Sequence, residues 1–271
     1  MTLAGGMPHI CARVCHECMP TCWARPSITP VSKPLNFDPR DVPVWRVDHD
    51  MPAVPPGQLH PDALRARFGQ DLAWRPEVER EPSFSTRTPA KAAVLIPIVM
   101  RGLAAAEPTI LLTRRAAHMS THSGQIAFPG GKVDPEDDNM QATALREAQE
   151  EVGLHPRHVQ VLGELPLYVT GTAFWVTPVV ALITPDFDLT PNPDEVDDVF
   201  EVPLSFLMNP AHHRRHNVDW QGTQRQWFSM PYNEHKQSPS GEVQIHERYI
   251  WGATAAMLRN FYRFLAANPN A

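Results

Sequence analysis

Glu147, Glu150 and Glu151 sit three and four positions apart in the run Arg146-Glu147-Ala148-Gln149-Glu150-Glu151-Val152-Gly153-Leu154. In a helix from Gln141 to Val152, residues at that spacing share a face, so three carboxylates crowd one spot. Like charges so placed cost roughly a few tenths of a kcal/mol per pair on a bare helix, and more in a partly dry cleft. A hard divalent cation would neutralise them. Oxygen-only ligands with no Cys or His nearby suit Mg²⁺ or Mn²⁺, which bind through a few carboxylates while keeping waters and reaching substrate phosphates. The chemistry this points to is that of a diphosphate; the alternative is an ordinary solvated helix face.

What must position these groups is a helix with both ends marked. Arg146 stands four residues before Glu150 and can pair with it along the helix. Gly153 supplies the left-handed residue that ends it. At the start Asp138 or Asn139 can cap, and Asp138 with Gln141 has a capping-box spacing. The chain enters through Phe128-Pro129-Gly130-Gly131-Lys132-Val133-Asp134, where only glycine lets backbone come close to an ion or a diphosphate.

These residues resemble the Nudix hydrolases, whose box runs Gly, five residues, Glu, seven residues, Arg-Glu-hydrophobic-x-Glu-Glu-x-Gly-hydrophobic. Gly131 and Arg146 to Leu154 match it. In the middle, Asp137 stands where the box has Glu, and eight residues rather than seven separate it from Arg146. With Leu111-Leu112-Thr113-Arg114-Arg115 and the stretch His122-Ser123-Gly124-Gln125-Ile126-Ala127-Phe128 before it, this variant is similar to the coenzyme A pyrophosphatase branch. The likeness continues through Thr177-Pro178-Val179-Val180, Pro193-Asp194-Glu195-Val196 and Ile250-Trp251-Gly252-Ala253-Thr254-Ala255, and covers roughly residues 91 to 265.

The resemblance implies an α/β fold, an α/β/α sandwich around a mixed sheet, and an enzyme that hydrolyses coenzyme A and its thioesters with Mg²⁺ or Mn²⁺. It implies Glu147 and Glu151 as direct metal ligands, Glu150 as a third, and a carbonyl of Gly130 or Gly131 as another. The catalytic carboxylates are then Glu195, Glu147 and Glu150, with Glu195 the first candidate for general base and Glu147 the second. Arg115, Arg114, His122, Gly130 and Gly131 fall to substrate binding, and the 212–216 cluster could meet the 3′-phosphate of coenzyme A. Other nucleoside diphosphate derivatives, such as ADP-ribose or a dinucleotide, are the neighbouring substrate class. A non-catalytic ligand sensor on the same fold has no need to keep all three Glu. A homodimer is also compatible with the resemblance.

Composition narrows the setting. At 271 residues and 42% hydrophobic the chain can bury one substantial core and carry an extension, and a net charge of −6 gives no global field for nucleic acid or an anionic membrane. No run of eighteen apolar residues exists, and the first thirty residues lack an apolar signal core, so a cytoplasmic protein is expected. Cys11, Cys15, Cys18 and Cys22 are the only cysteines. They form a leader, residues 1–25, expected to be disordered, with zinc or an iron-sulfur cluster as the alternative. No Gly-x-Ser-x-Gly elbow and no Walker loop is present.

Prolines recur from Pro26 to Pro61, so 26–90 reads as an extended arm with one short helix, Pro61 to Phe68, docked by Leu35, Phe37, Val42, Val44 and Trp45. The hydrolase domain is then 91–271. Strands are expected at Ala92–Met100, Thr109–Arg115, Gln125–Phe128, Val159–Leu165, Phe174–Thr184, Arg225–Pro231 and Val243–Tyr249, and helices at Leu204–Met208 and Trp251–Ala267. His212-His213-Arg214-Arg215-His216 reads as a solvated loop.

Overall fold

A computed structural model describes residues 38–83, 85–119, 122–220, 222–238 and 241–268. The leader, Leu35 and Phe37 lie outside these residues. In chain order the elements are β1 (Val44–Val47), α1 (Pro61–Phe68), β2 (Ala90–Val99), β3 (Thr109–Arg115), β4 (Ile126–Ala127), β5 (Gly130–Lys132), α2 (Met140–Val152), β6 (Val159–Glu164), β7 (Tyr168–Val169), β8 (Phe174–Ile183), β9 (Val196–Pro203), α3 (Leu204–Leu207), β10 (Arg214–Trp220), β11 (Thr223–Gln237), β12 (Val243–Trp251) and α4 (Gly252–Ala266).

The larger sheet runs β4-β3-β2-β8-β6, with β5 on β2, β7 on β8 and β9 on β3. Its centre, β2 beside β8, is parallel over ten residue pairs from Ala90↔Phe174 to Val99↔Ile183, while the other pairings are antiparallel, so the sheet is mixed. Both faces are buried, which is why β2 reads as a near-continuous apolar run. Ala93, Leu95 and Val99 face α2, together with Ala144, Ala148 and Val152. Ala92, Ile96 and Ile98 face the opposite layer, where α4 packs through Ala255, Leu258, Tyr262 and Leu265. The result is the expected α/β/α sandwich. Pro97, which has no N–H, falls between the stretch of β2 paired with β5 (Ala92–Val94) and the stretch paired with β3 (Ile98, Val99).

A second, antiparallel sheet, β1-β10-β11-β12, was only half legible. The 212–216 segment is not a solvated loop. His213 and His216 are buried and Arg214 opens β10, whose neighbour Arg215 binds Asp48 and Glu77. Strand propensity is hidden there because the buried side chains are polar and find long-range partners: His213 meets Leu207 O at 2.7 Å, and His216 meets Ser229 Oγ at 2.8 Å. Strand β9 also escaped the sequence reading, since its Val-Asp-Asp-Val start looks like a polar loop.

Helix α1 falls at the expected residues, Pro61 at its first turn and Leu64 buried. The anchors of the proline-rich segment differ from those expected, however. Val44 and Trp45 are exposed, and Val54, Leu59 and Leu64 enter the core shared with β2, β3 and α4.

Candidate active site

Helix α2 begins at the Asn139 cap, whose Oδ1 accepts from Ala142 N at 2.9 Å, and ends at Gly153 with φ 73°. Between the two possible caps, tertiary context selects Asn139 because Asp137 and the loop before it are held by Arg146. The Arg146 guanidinium donates to both oxygens of Asp137 (3.0 and 2.9 Å) and to Lys132 O (3.0 Å). Asp137 also accepts from Asp134 N at 2.9 Å and Thr143 Oγ1 at 2.8 Å. The Arg146 hydrogen bonds, and then that from Asp134 N, hold its carboxyl well below the usual carboxylate range. Asp137 is therefore the fixed partner of Arg146 and the staple of the loop that carries the glycines.

Above that staple the backbone meets the carboxylates. Gly130 N donates to Glu151 Oε2 at 3.1 Å. A Cβ on Gly130 would strike the Ala93 carbonyl and lie 2.6 Å from Val94 Cα, and one on Gly131 would lie 2.5 Å from the Glu147 carboxylate. Close approach to backbone requires glycine at 130, while at 131 a Cβ would have to displace the Glu147 carboxylate.

Glu151 is 3% exposed, and burial pushes its carboxyl up to about 7 against the hydrogen bond from Gly130 and the charge of Arg115; Glu147 and Glu195 add to the upward push. Burial likewise raises Glu147, opposed by Arg146 and reinforced by Glu150 and Glu195. Glu195, from a loop far along the chain, is thus within electrostatic reach of both helix carboxylates. Backbone bonds fix it there. Asn192 N donates to Glu151 O at 2.9 Å, Glu195 N to Asn192 O at 3.0 Å, and Ala116 N to Glu195 O at 2.9 Å.

Arg115, on the α2 side of β3, brings Nη1 to 3.7 Å from Glu151 Oε1, and its buried Nε meets no protein acceptor among the described residues. Arg114, its strand neighbour, points the other way and is exposed, 3.9 Å from Asp197. His122 is exposed at φ 56°, with Nδ1 2.9 Å from Gln125 Oε1 of its own turn. Glu150 is the outermost of the three helix carboxylates, 56% exposed. The fold therefore gathers Glu147, Glu151, Glu195, Arg115, Gly130 and Gly131, with Glu150 at the margin, Arg114 on the other face of β3 and His122 exposed on the turn bonded to Arg115. Asn192 was not singled out by sequence; the Pro191-Asn192-Pro193 turn signal marks a loop but not its contact with α2.

A divalent cation suits the donors in kind. They are oxygens of like charge whose protonation rises through burial and mutual repulsion, so a counter-cation would relieve them. Among the described residues no three acidic or histidine groups are drawn together as a ready metal shell. Arg146 instead supplies part of the neutralisation, its Nη1 2.9 Å from both Glu147 Oε1 and Glu150 Oε2. A cation ligated by Glu147 has to compete with that guanidinium.

Residues 90–228 match the model of the NUDIX domain. The chain is 38% identical over 196 residues, 72% of its own length and 91% of the relative's, to a protein of Escherichia coli O7:K1 (strain IAI39 / ExPEC) named "Uncharacterized Nudix hydrolase NudL". A Photorhabdus laumondii protein of the same name is 41% identical over 167 residues, 62% of this chain and 80% of that one. Among solved structures, a MutT/nudix family protein from Enterococcus faecalis aligns with 77% of this chain and 72% of its own at 14% identity and a TM-score of 0.37. A domain match over half the chain, with relatives of that identity aligned along most of their length, assigns the carboxylate helix and its glycine turn to one lineage: this chain belongs to the Nudix hydrolases.

Proposed function

We propose that this Nudix hydrolase cleaves the diphosphate bond of coenzyme A and its thioesters, giving adenosine 3′,5′-bisphosphate and 4′-phosphopantetheine or its acyl derivative. The observation that carries the chemistry is the placing of Glu147 and Glu151 against the Gly130-Gly131 backbone, with Arg115 3.7 Å from Glu151 and Glu195 within electrostatic reach of both carboxylates. The coenzyme A reading rests in addition on the stretch from Leu111 through Gly131 and on Asp137 in place of Glu.

In this reading Glu147 and Glu151, with Glu150 and a carbonyl of Gly130 or Gly131, hold Mg²⁺ or Mn²⁺. Such an ion supplies Lewis acidity and lowers the pKa of a bound water. Glu195 takes the proton from the attacking water as its oxygen bonds to phosphorus and the bridging P–O bond breaks, the electron pair leaving with the second phosphate. Arg115 offsets the charge that develops on the phosphoryl oxygens. The proposal includes a cytoplasmic setting, a hydrolase body of 91–271, a 26–90 arm and a dispensable 1–25 leader. Among the described residues no helix is long and apolar enough to cross a membrane.

Cations for the 3′-phosphate narrow to Arg115 and Arg214, because His213 and His216 are buried, Arg215 is held by Asp48 and Glu77, and His212 stacks on Phe206 with its pKa lowered first by burial. The test is kcat/KM for coenzyme A, dephospho-coenzyme A, ADP-ribose and diadenosine polyphosphates at one Mg²⁺ concentration. Dephospho-coenzyme A should be poorer by about ten- to a hundredfold, on the order of 1.5–3 kcal/mol of charge-assisted contact. ADP-ribose outrunning coenzyme A overturns the substrate and leaves the Nudix chemistry standing.

A further inference from the structure

Glu195 sits on a loop, and a loop carboxylate can work as a base only if something holds it against the helix carboxylates. One end of the loop is tied to the last turn of α2: Thr190 N donates to Val152 O at 3.0 Å and Asn192 N to Glu151 O at 2.9 Å. Asn192 then organises the turn, its Oδ1 accepting from Asp194 N at 3.1 Å and its carbonyl from Glu195 N and Val196 N. The other end must be fixed against β3.

Beside the β9–β3 pairing, which begins at Val196 opposite Arg115, two contacts do this. One is Ala116 N to Glu195 O; the other is a side chain, His118, whose Nε2 lies 3.1 Å from Asp194 O. A carbonyl only accepts, so Nε2 carries the proton in this contact. His118 is itself mounted on a braced turn. Met119 N donates to Ala116 O at 3.2 Å, Ser123 Oγ to Ala117 O at 2.5 Å and Gly124 N to Arg115 O at 3.1 Å. The turn that follows Arg115 thus reaches across to the residue next to Glu195.

We propose that His118 is a positioning residue for Glu195, its Nε2–H to the Asp194 carbonyl holding the loop that brings this carboxylate towards Glu147 and Glu151. This rests on the reading of Glu195 as general base. Because a base misplaced by about an ångström loses efficiency without weakening ground-state binding, the effect belongs in kcat and not in KM.

The experiment compares the full-length wild-type, His118→Ala, His118→Gln, Glu195→Gln and the His118→Ala/Glu195→Gln double variant. Each is assayed with Mg²⁺ on the nucleoside diphosphate derivative the wild type turns over fastest, with melting temperature recorded alongside. His118→Ala should lose about tenfold in kcat with KM and melting temperature near wild type. His118→Gln, which keeps a donor, should recover most of the loss. In the Glu195→Gln background the His118→Ala step should cost little further, since the group it positions is gone. An impaired Glu195→Gln enzyme beside a His118→Ala enzyme of unchanged kcat, or a full tenfold loss repeated in the Glu195→Gln background, overturns the role of His118 alone. A fully active Glu195→Gln enzyme overturns the base assignment, and the role of His118 falls with it.

Discussion

Two of the charge clusters among the described residues are built on opposite rules. In the first, Asp48 and Glu77 meet Arg215 and Arg259, with distances of 2.6 to 2.9 Å. Asp48 and Arg259 are both 0% exposed at the side chain. Two negative charges face these two positive ones, with Arg46 at the rim 3.1 Å from Asp48 Oδ1, and Arg259 Nη1 donates to the Nδ1 lone pair of His213 at 3.1 Å, which leaves Nε2–H of a neutral His213 to reach Leu207 O. Burial pushes Asp48 upward, but the Arg215 hydrogen bond and the charges of Arg259, Arg215 and Arg46 outweigh it, and its pKa ends below the ordinary value. The second cluster, Glu147, Glu151 and Glu195, has Arg146 and Arg115 at its edges, yet Glu151 ends high, at about 7. Burial with balanced charge ties the arm, β10 and α4 into one core. Burial with unbalanced charge leaves the carboxylates short of a cation, which is the condition a metal-dependent hydrolase requires.

The sharpest way to break this comparison is to unbalance the first cluster. Arg259→Leu leaves Asp48 and Glu77 without a buried partner and should cost about 3–5 kcal/mol in urea unfolding at neutral pH. Turnover per folded molecule should largely survive. A loss under about 1 kcal/mol would mean that the network is not structural.

Removing charge from the second cluster should do the reverse. Glu151→Gln keeps size and helix propensity, and turnover should fall at least about a hundredfold, on the order of 3 kcal/mol of transition-state stabilisation, with no loss of stability. Unchanged turnover, with chelation of divalent ions also harmless, would remove the metal reading.

The clusters should also titrate with opposite sign. Glu151 is raised to about 7, so the folded state keeps a proton that the unfolded chain releases near its ordinary value. Its contribution is present below that ordinary value and is lost as pH rises through about 7, an effect of about 2–3 kcal/mol in metal-free protein. His213 is pushed down to about 4, first by burial. Its contribution is present above the ordinary histidine range and is lost as pH falls towards about 4. Metal-free unfolding of wild type and Glu151→Gln from pH 5 to pH 8 isolates the first effect: the variant should gain on the wild type as pH rises, and added Mg²⁺ should shrink the gap. A constant difference across the range would contradict the raised Glu151.

The smallest effect concerns Gly131→Ala. The new Cβ would lie 2.5 Å from the Glu147 carboxylate, the movable end of a flexible side chain, so stability should change by less than about 1 kcal/mol. Displacing that carboxylate should still cost about tenfold in kcat, roughly 1.4 kcal/mol. A drop in melting temperature with normal kcat would place the glycine in packing alone.

By itself the sequence determined what is local. The carboxylate spacing, the Gly153 stop, the Pro61 start of α1 and the apolar runs of β2, β3 and β8 are set by helical and strand periods and by glycine and proline geometry. The family resemblance added Glu195, which no period marks. Only the tertiary structure decided which of Asp138 and Asn139 caps α2, that Arg146 grips Asp137 as well as Glu150, and that Arg114 turns away while Arg115 faces Glu151. It alone brought Asn192 against the end of α2 and buried His213 and His216 within so polar a stretch. The reason is the same in each case. A charged or polar residue is inside or outside according to whether a partner meets it, and here the partners are distant in sequence: Asp48 lies 167 residues from Arg215.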